Sequence, residues 1–316
     1  MAKRKRGRIR SFLEYVAIRW IAVGLNALPD RAAFELGTLL GRTLHFCDVR
    51  HRRITENNLR LAFGASRSEE WVRATAREVY EHFGHSLAEI IRFRQKLRPE
   101  TVARYYSFEG VDRLRRAQSR GKGTIIVTGH IGNWESAGVA IAAAICPITT
   151  VVRPLDNPLL NEYLVSSRRT TGQRIVPKRG ALRILVEVLR EGGTVIVVGD
   201  QHAGEDGIVV DFFGQPASTI SSVASLAVRF GSAIVPGYSR RLAPFKHVVF
   251  FDEPIVPDPA APKQEQIRDL TARFTKRLEC FIRECPDQWL WLHRRWRAAW
   301  PKPTSEKLYA ESTSDR

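Results

Sequence analysis

The 316-residue sequence predicts an α/β fold: a mostly parallel or mixed sheet flanked by helices, with a helical, membrane-facing segment at its amino end. Three observations carry this expectation. Apolar residues recur at three- and four-residue spacings through the first third of the chain. From about residue 105 to 254, short β-branched runs alternate with helical stretches, which implies a largely parallel sheet. Ahead of both, a cationic leader joins an amphipathic stretch.

The leader, "MAKRKRGRIR", holds six cationic residues in ten, and "SFLEYVAIRWIAVGLNALP" follows. A secretory signal has this order, but Glu14 and Arg19 interrupt the apolar part and no A-x-A cleavage site follows. The uncharged run from Trp20 to Pro29 is shorter than the about 20 residues a bilayer span needs. It reads as an interfacial helix or weak single anchor, its leader held on the cytoplasmic side of a membrane by anionic headgroups. The other reading is an ordinary amphipathic helix with a solvated tail. Helix continues from about Ser11 to Lys96, notably in "WVRATAREVYEHFGHSLAEIIRF".

The strands expected next are "TIIV", "ITTVV", "TVIVVG", "AIVPGY" and "HVVFF". Between them "ALRILVEVLREG" and "SSVASLAVRFG" read as helices closed by glycine. A last helix over about 263 to 283 precedes a Trp-rich basic end. The domain reading is therefore a leader and membrane-associated helix over 1–30, then one domain over 31–300 with its α/β core at about 105–260. The tail, 301–316, reads as disordered.

A net charge of +17 and a pI near 10.3 call for an anionic partner. Nucleic acid is disfavoured, because the chain has no helix-turn-helix, zinc-finger or aromatic RNA-binding signature. Four cysteines in so long a chain make no disulfide scaffold. Cys280, Cys285 and His293 lack a second pair of ligands, so no metal is expected.

Chemistry concentrates in "GHIGNWE" (129 to 135), directly after "TIIVT". On one regular helix, residues five apart sit roughly 140° apart and cannot meet. His130 therefore belongs in the turn after a strand and Glu135 in the first turn of a helix capped by Asn133. Glu135 then accepts a hydrogen bond from one ring nitrogen, leaving the other as a general base for the substrate's own hydroxyl. A helix-capping histidine with an incidental glutamate is the alternative. "GHSLA" (84 to 88) mimics a lipase nucleophile elbow, but the preceding stretch is helical rather than a strand.

Six segments in order resemble the bacterial lipid A biosynthesis acyltransferase family: "RHRRITENNLRLAFG" (50 to 64), "GHIGNWE", "VVRPLDNPLLNEYL" (151 to 164), "LREGGTVIVVGDQ" (189 to 201), "VDFFGQPASTISSVASLAVRFGSAIVPGYSRR" (210 to 241) and "PDQWLWLHRRW" (286 to 296). The resemblance covers nearly the whole chain and implies a glycerolipid-acyltransferase-like fold. It assigns His130 and Glu135 to an H-x4-[DE] catalytic dyad, and Arg153, Asp200, Gln201 and Asn133 to substrate binding. "FFGQPAST" is expected to shape an acyl groove, although Phe212 and Phe213 themselves read as core. The Trp/Arg-rich end is expected to meet headgroups or an acidic carrier, the alternative being a solvated helix with partly buried indoles.

The implied reaction moves a fatty acyl chain from acyl carrier protein to a hydroxyl of a lipid A precursor, without metal or other cofactor. Another member-like reaction uses acyl-CoA and a phosphatidylinositol mannoside. A different class is a non-catalytic basic protein that binds membrane or nucleic acid.

Overall fold

A computed structural model describes residues 7–297 apart from 153, 170 and 178–179. Four helices come first: α1 (Arg8–Ala27), α2 (Asp30–Cys47), α3 (Val49–Phe63) and α4 (Glu69–Lys96). Ser68 starts α4 by accepting from the Trp71 N–H, and Glu69 and Glu70 complement the positive end of the helix. The alternating part follows as β1 (Tyr106–Glu109), α5 (Val111–Gln118), β2 (Thr124–Thr128), α6 (Trp134–Ala144), β3 (Ile148–Val152), α7 (Pro158–Arg169), β4 (Gln173–Pro177), α8 (Ala181–Arg190) and β5 (Thr194–Val198). After a hairpin of β6 (Ile208–Phe212) and β7 (Gln215–Thr219) come α9 (Ser222–Phe230), β8 (Ala233–Ala243), β9 (Lys246–Phe251) and α10 (Lys263–Glu284).

The main sheet has seven strands in the order β1-β9-β8-β2-β5-β3-β4. Only β8 and β9 pair antiparallel; every other neighbour is parallel, so the predicted mixed α/β sheet is present. A central parallel strand is covered on both faces, which is why β2 reads as an unbroken apolar run. Ile125 and Val127 belong to the same core cluster as Phe274 and Phe281 of α10, whereas Ile126 belongs to the one that holds Ala137, Ala140 and Ile141 of α6.

No helix among the described residues is long and apolar enough to cross a membrane. Large side chains nevertheless face outward along the first two helices: Ile9, Phe12, Leu13, Trp20 and Ile21 on α1, and Leu39 and Phe46 on α2, with Trp20 71% exposed. The segment read as a disordered tail, 301–316, lies outside the described residues.

Candidate active site

Strand register builds the site. β2 and β5 pair in parallel with Thr128 opposite Val198, so His130 and Asp200 stand equally far beyond the carboxyl ends of adjacent strands. Ligand and catalytic groups gather at such ends in open α/β sheets. The His130 ring donates from Nδ1 to Asp200 Oδ1 at 2.8 Å, and the His130 backbone N–H donates to Oδ2 at 2.7 Å. Trp289 Nε1 donates to the same Oδ2 at 2.6 Å. An ionised carboxylate only accepts, so this pairing places the ring proton on Nδ1 and leaves Nε2 as the basic atom. Gln201 Nε2 stands 3.5 Å from that atom.

The turn carrying His130 is fixed along its whole length. The His130 carbonyl accepts from Leu290 N–H, Gly132 N–H donates to the Gln288 carbonyl, and Ile131 bridges to Trp289. Gly132 has φ +59° and its missing Cβ would fall 1.9 Å from the Ser239 carbonyl oxygen, so no other residue fits. Gly132→Ala is expected to cost more than ~2 kcal/mol through strain and overpacking, read by chemical denaturation. Next, Asn133 Oδ1 accepts from Ser136 N–H and caps α6.

Behind the turn lies a buried charge network. Arg241 grips Glu89 through Nε and Nη2, both at 2.8 Å, and Glu89 Oε2 also accepts from Asn133 Nδ2 at 2.9 Å. His82 pairs with Arg241 and with the Gly132 carbonyl, and Ser86 accepts from Arg241. "GHSLA" is thus mid-helix in α4, and Ser86 is a buried member of this network rather than a nucleophile at an elbow.

Electrostatics bias the pair toward a charged histidine. Burial alone would lower the His130 pKa, but the Asp200 charge and hydrogen bond, then the Glu135 charge, carry it above its ordinary value. Burial alone would raise the Asp200 carboxyl, yet the His130 charge and the bonds from His130 and Trp289 bring it down to about 2. His130 opens onto a mostly apolar cavity of about 620 Å³ between α6, the sheet and the α1, α4 and α7 wall. Glu135 lies in the first turn of α6 on the same wall.

Several expectations need correction. The carboxylate bonded to Nδ1 is Asp200, not Glu135, because the strand register brings Asp200 to that nitrogen. The Asp200 side chain is buried, with His130 and Trp289 on its oxygens. Asn133 is likewise buried, spent on the α6 cap and on Glu89. Gln201 remains beside the cavity mouth, next to His130. Arg153 lies outside the described residues.

Among the described residues of the Trp/Arg-rich end the indoles face the interior, while Arg294 and Arg297 are exposed and Trp300 lies outside the described residues. Trp289, Trp291, Trp296 and Arg295 are all buried. Arg295 donates to the Gln201 and Ser218 carbonyls and to Thr219 Oγ1, so it ties the segment after β5 to β7. Phe212 and Phe213 pack against these tryptophans, and among the described residues none from β6 or β7 lines the cavity.

The model for bacterial lipid A biosynthesis acyltransferases matches residues 4–298. A lipid A biosynthesis palmitoleoyltransferase of Escherichia coli (strain K12) is 27% identical over 89% of this chain and 91% of its own length. A lauroyltransferase of the same bacterium is 26% identical over 89% of this chain and 90% of its own. A phosphatidylinositol mannoside acyltransferase of Mycobacterium tuberculosis (strain CDC 1551 / Oshkosh) is 31% identical over 131 residues, 40% of this chain; the match spans 42% of the length of that relative. The chain therefore belongs to the bacterial lipid A biosynthesis acyltransferase family.

Proposed function

We propose that this protein transfers a fatty acyl chain from acyl carrier protein to a hydroxyl of a lipid A precursor bearing Kdo, with His130 as general base. The observation that carries this reading is the oriented His130–Asp200 pair at the mouth of an apolar cavity. His130 Nε2 takes the hydroxyl proton as the oxygen attacks the thioester carbonyl. When the carbonyl re-forms, the C–S bond breaks and the imidazolium returns its proton to the leaving thiolate. Asp200 holds the ring and stabilises the imidazolium, and Glu135 adds a second negative charge. Gln201, whose amide nitrogen stands 3.5 Å from Nε2, is proposed to touch the reacting groups, and Arg153 is proposed to meet a phosphate.

The family relatives support a glycolipid acceptor. The +17 charge fits both an acidic carrier and a phosphorylated lipid. Exposed apolar side chains on α1 and α2 support peripheral docking on the cytoplasmic face of the inner membrane, with the leader against anionic headgroups. The test supplies the purified full-length protein with acyl carrier protein carrying a radiolabelled fatty acyl chain, and with a tetra-acylated, Kdo-bearing precursor. Product formation supports the reading. Transfer only from acyl-CoA to a phosphatidylinositol mannoside keeps the chemistry and replaces both substrates, while no transfer to either acceptor overturns it.

Glu135→Gln tests the second carboxylate. Loss of its charge lowers the His130 pKa. A base works only when neutral, so the rising limb of the pH–rate profile is expected to move to lower pH. An unmoved limb contradicts any electrostatic role.

A further inference from the structure

The cavity is not apolar throughout. It runs from His130 at the carboxyl edge of the sheet to Gln173 at the opposite edge, where Gln173 pairs in register with Ile148 at the start of β3. Four steps of β3 separate those edges, roughly 13 Å at the usual strand rise. Ile126, Ile141 and Ile196 line the passage between them. At its far end Gln173 is only 4% exposed. Its Nε2 donates to Thr150 Oγ1 at 3.1 Å, while Oε1 has no hydrogen-bond partner. Turning the amide over does not help, since Thr150 then donates to Oε1 and the two N–H groups lose their partner. One end of this buried amide is unpaired in either orientation.

We infer that Gln173 sets the length of acyl chain the cavity accepts, a deduction that rests on the acyl-pocket reading above. Each further methylene buried in an apolar channel tightens binding roughly fourfold. Covering the unpaired end of the buried amide with a methyl weakens binding roughly 5- to 150-fold. The penalty exceeds the gain, so the favoured chain is the longest one whose methyl stops short of Gln173. Gly138 on α6 adds to the constriction: a Cβ there would stand 2.9 Å from Gln173 Nε2.

The test measures binding of saturated fatty acids of increasing length to the purified full-length protein, by displacement of a fluorescent fatty acid. In the wild type, affinity is expected to climb with each carbon and then break. In Gln173→Leu, which keeps the volume and removes the amide, the break moves to longer chains, and the first acid beyond the wild-type break binds at least fivefold tighter. A terminal hydroxyl on that longer acid restores affinity in the wild type and not in Gln173→Leu. Gly138→Ala, which leaves the amide in place but crowds it, moves the break to shorter chains. A break at the same length in wild type and Gln173→Leu overturns the role of Gln173 while leaving the acyl pocket standing. Absence of fatty-acid binding to the wild type overturns the acyl-pocket reading and this inference with it.

Discussion

Replacing His130 with alanine is expected to lower the rate of acyl transfer by roughly 10²–10⁴-fold while leaving the protein folded. The ring projects toward the cavity, 20% exposed, and its removal leaves the backbone bonds of the turn to Asp200 and Leu290 in place. Asp200→Asn should approach the same loss, because an amide on Nδ1 permits the wrong tautomer and no longer balances the imidazolium. Groups that act as a unit do not add. The double variant is therefore expected to be little slower than His130→Ala alone in single-turnover transfer, and full additivity would show that Asp200 acts elsewhere.

The second large effect is on folding. Glu89 is fully buried and bonded to Arg241 and Asn133, so Glu89→Ala strands the guanidinium inside the protein. Breaking a buried ion pair on one side costs about 3–5 kcal/mol, a large part of the stability of a typical domain. Denaturant melts of Glu89→Ala and of a paired apolar variant, Glu89→Met with Arg241→Met, separate the causes. The pair is expected to recover much of the loss, since the buried guanidinium is then gone together with its partner. Equal loss in both would place the cost in packing rather than in charge.

Legibility in the sequence followed the physics of each element. The central parallel strands are buried on two faces, so β2, β3 and β5 stood out as β-branched runs. β4 lies at the sheet edge and reads "QRIVP", where a leading Gln-Arg pair and a closing proline leave only two apolar residues to signal a strand. The β6–β7 hairpin turns through Phe213 and Gly214, both at positive φ. Such turns are usually announced by Asn-Gly or Asp-Gly, and a phenylalanine in the first place hides them.

The site divides the same way. A histidine between two glycines after a strand is a local pattern, and "GHIGNWE" was readable as a turn that presents His130 at a strand end. Which carboxylate holds the histidine is a matter of register. Glu135 was nearer in sequence, but the pairing of Thr128 with Val198 brings Asp200 to the ring. The "VGDQ" at the end of β5 carried that information to a reader who knew β2 and β5 were neighbours. Trp289 had no such signal, since its indole reaches Asp200 only because the segment after α10 folds back along the turn.

The most direct test of the central claim is the pH dependence of kcat/KM for acyl transfer in the wild type and in Asp200→Asn. Asp200 raises the His130 pKa, and the proposed general base works only as the neutral ring. The wild-type rate is expected to rise through a limb above the ordinary histidine value of about 6.5. In Asp200→Asn that limb moves to lower pH, by more than in Glu135→Gln, because a charge and a hydrogen bond are both lost. A limb at the same pH in Asp200→Asn and the wild type would contradict a general base held by Asp200.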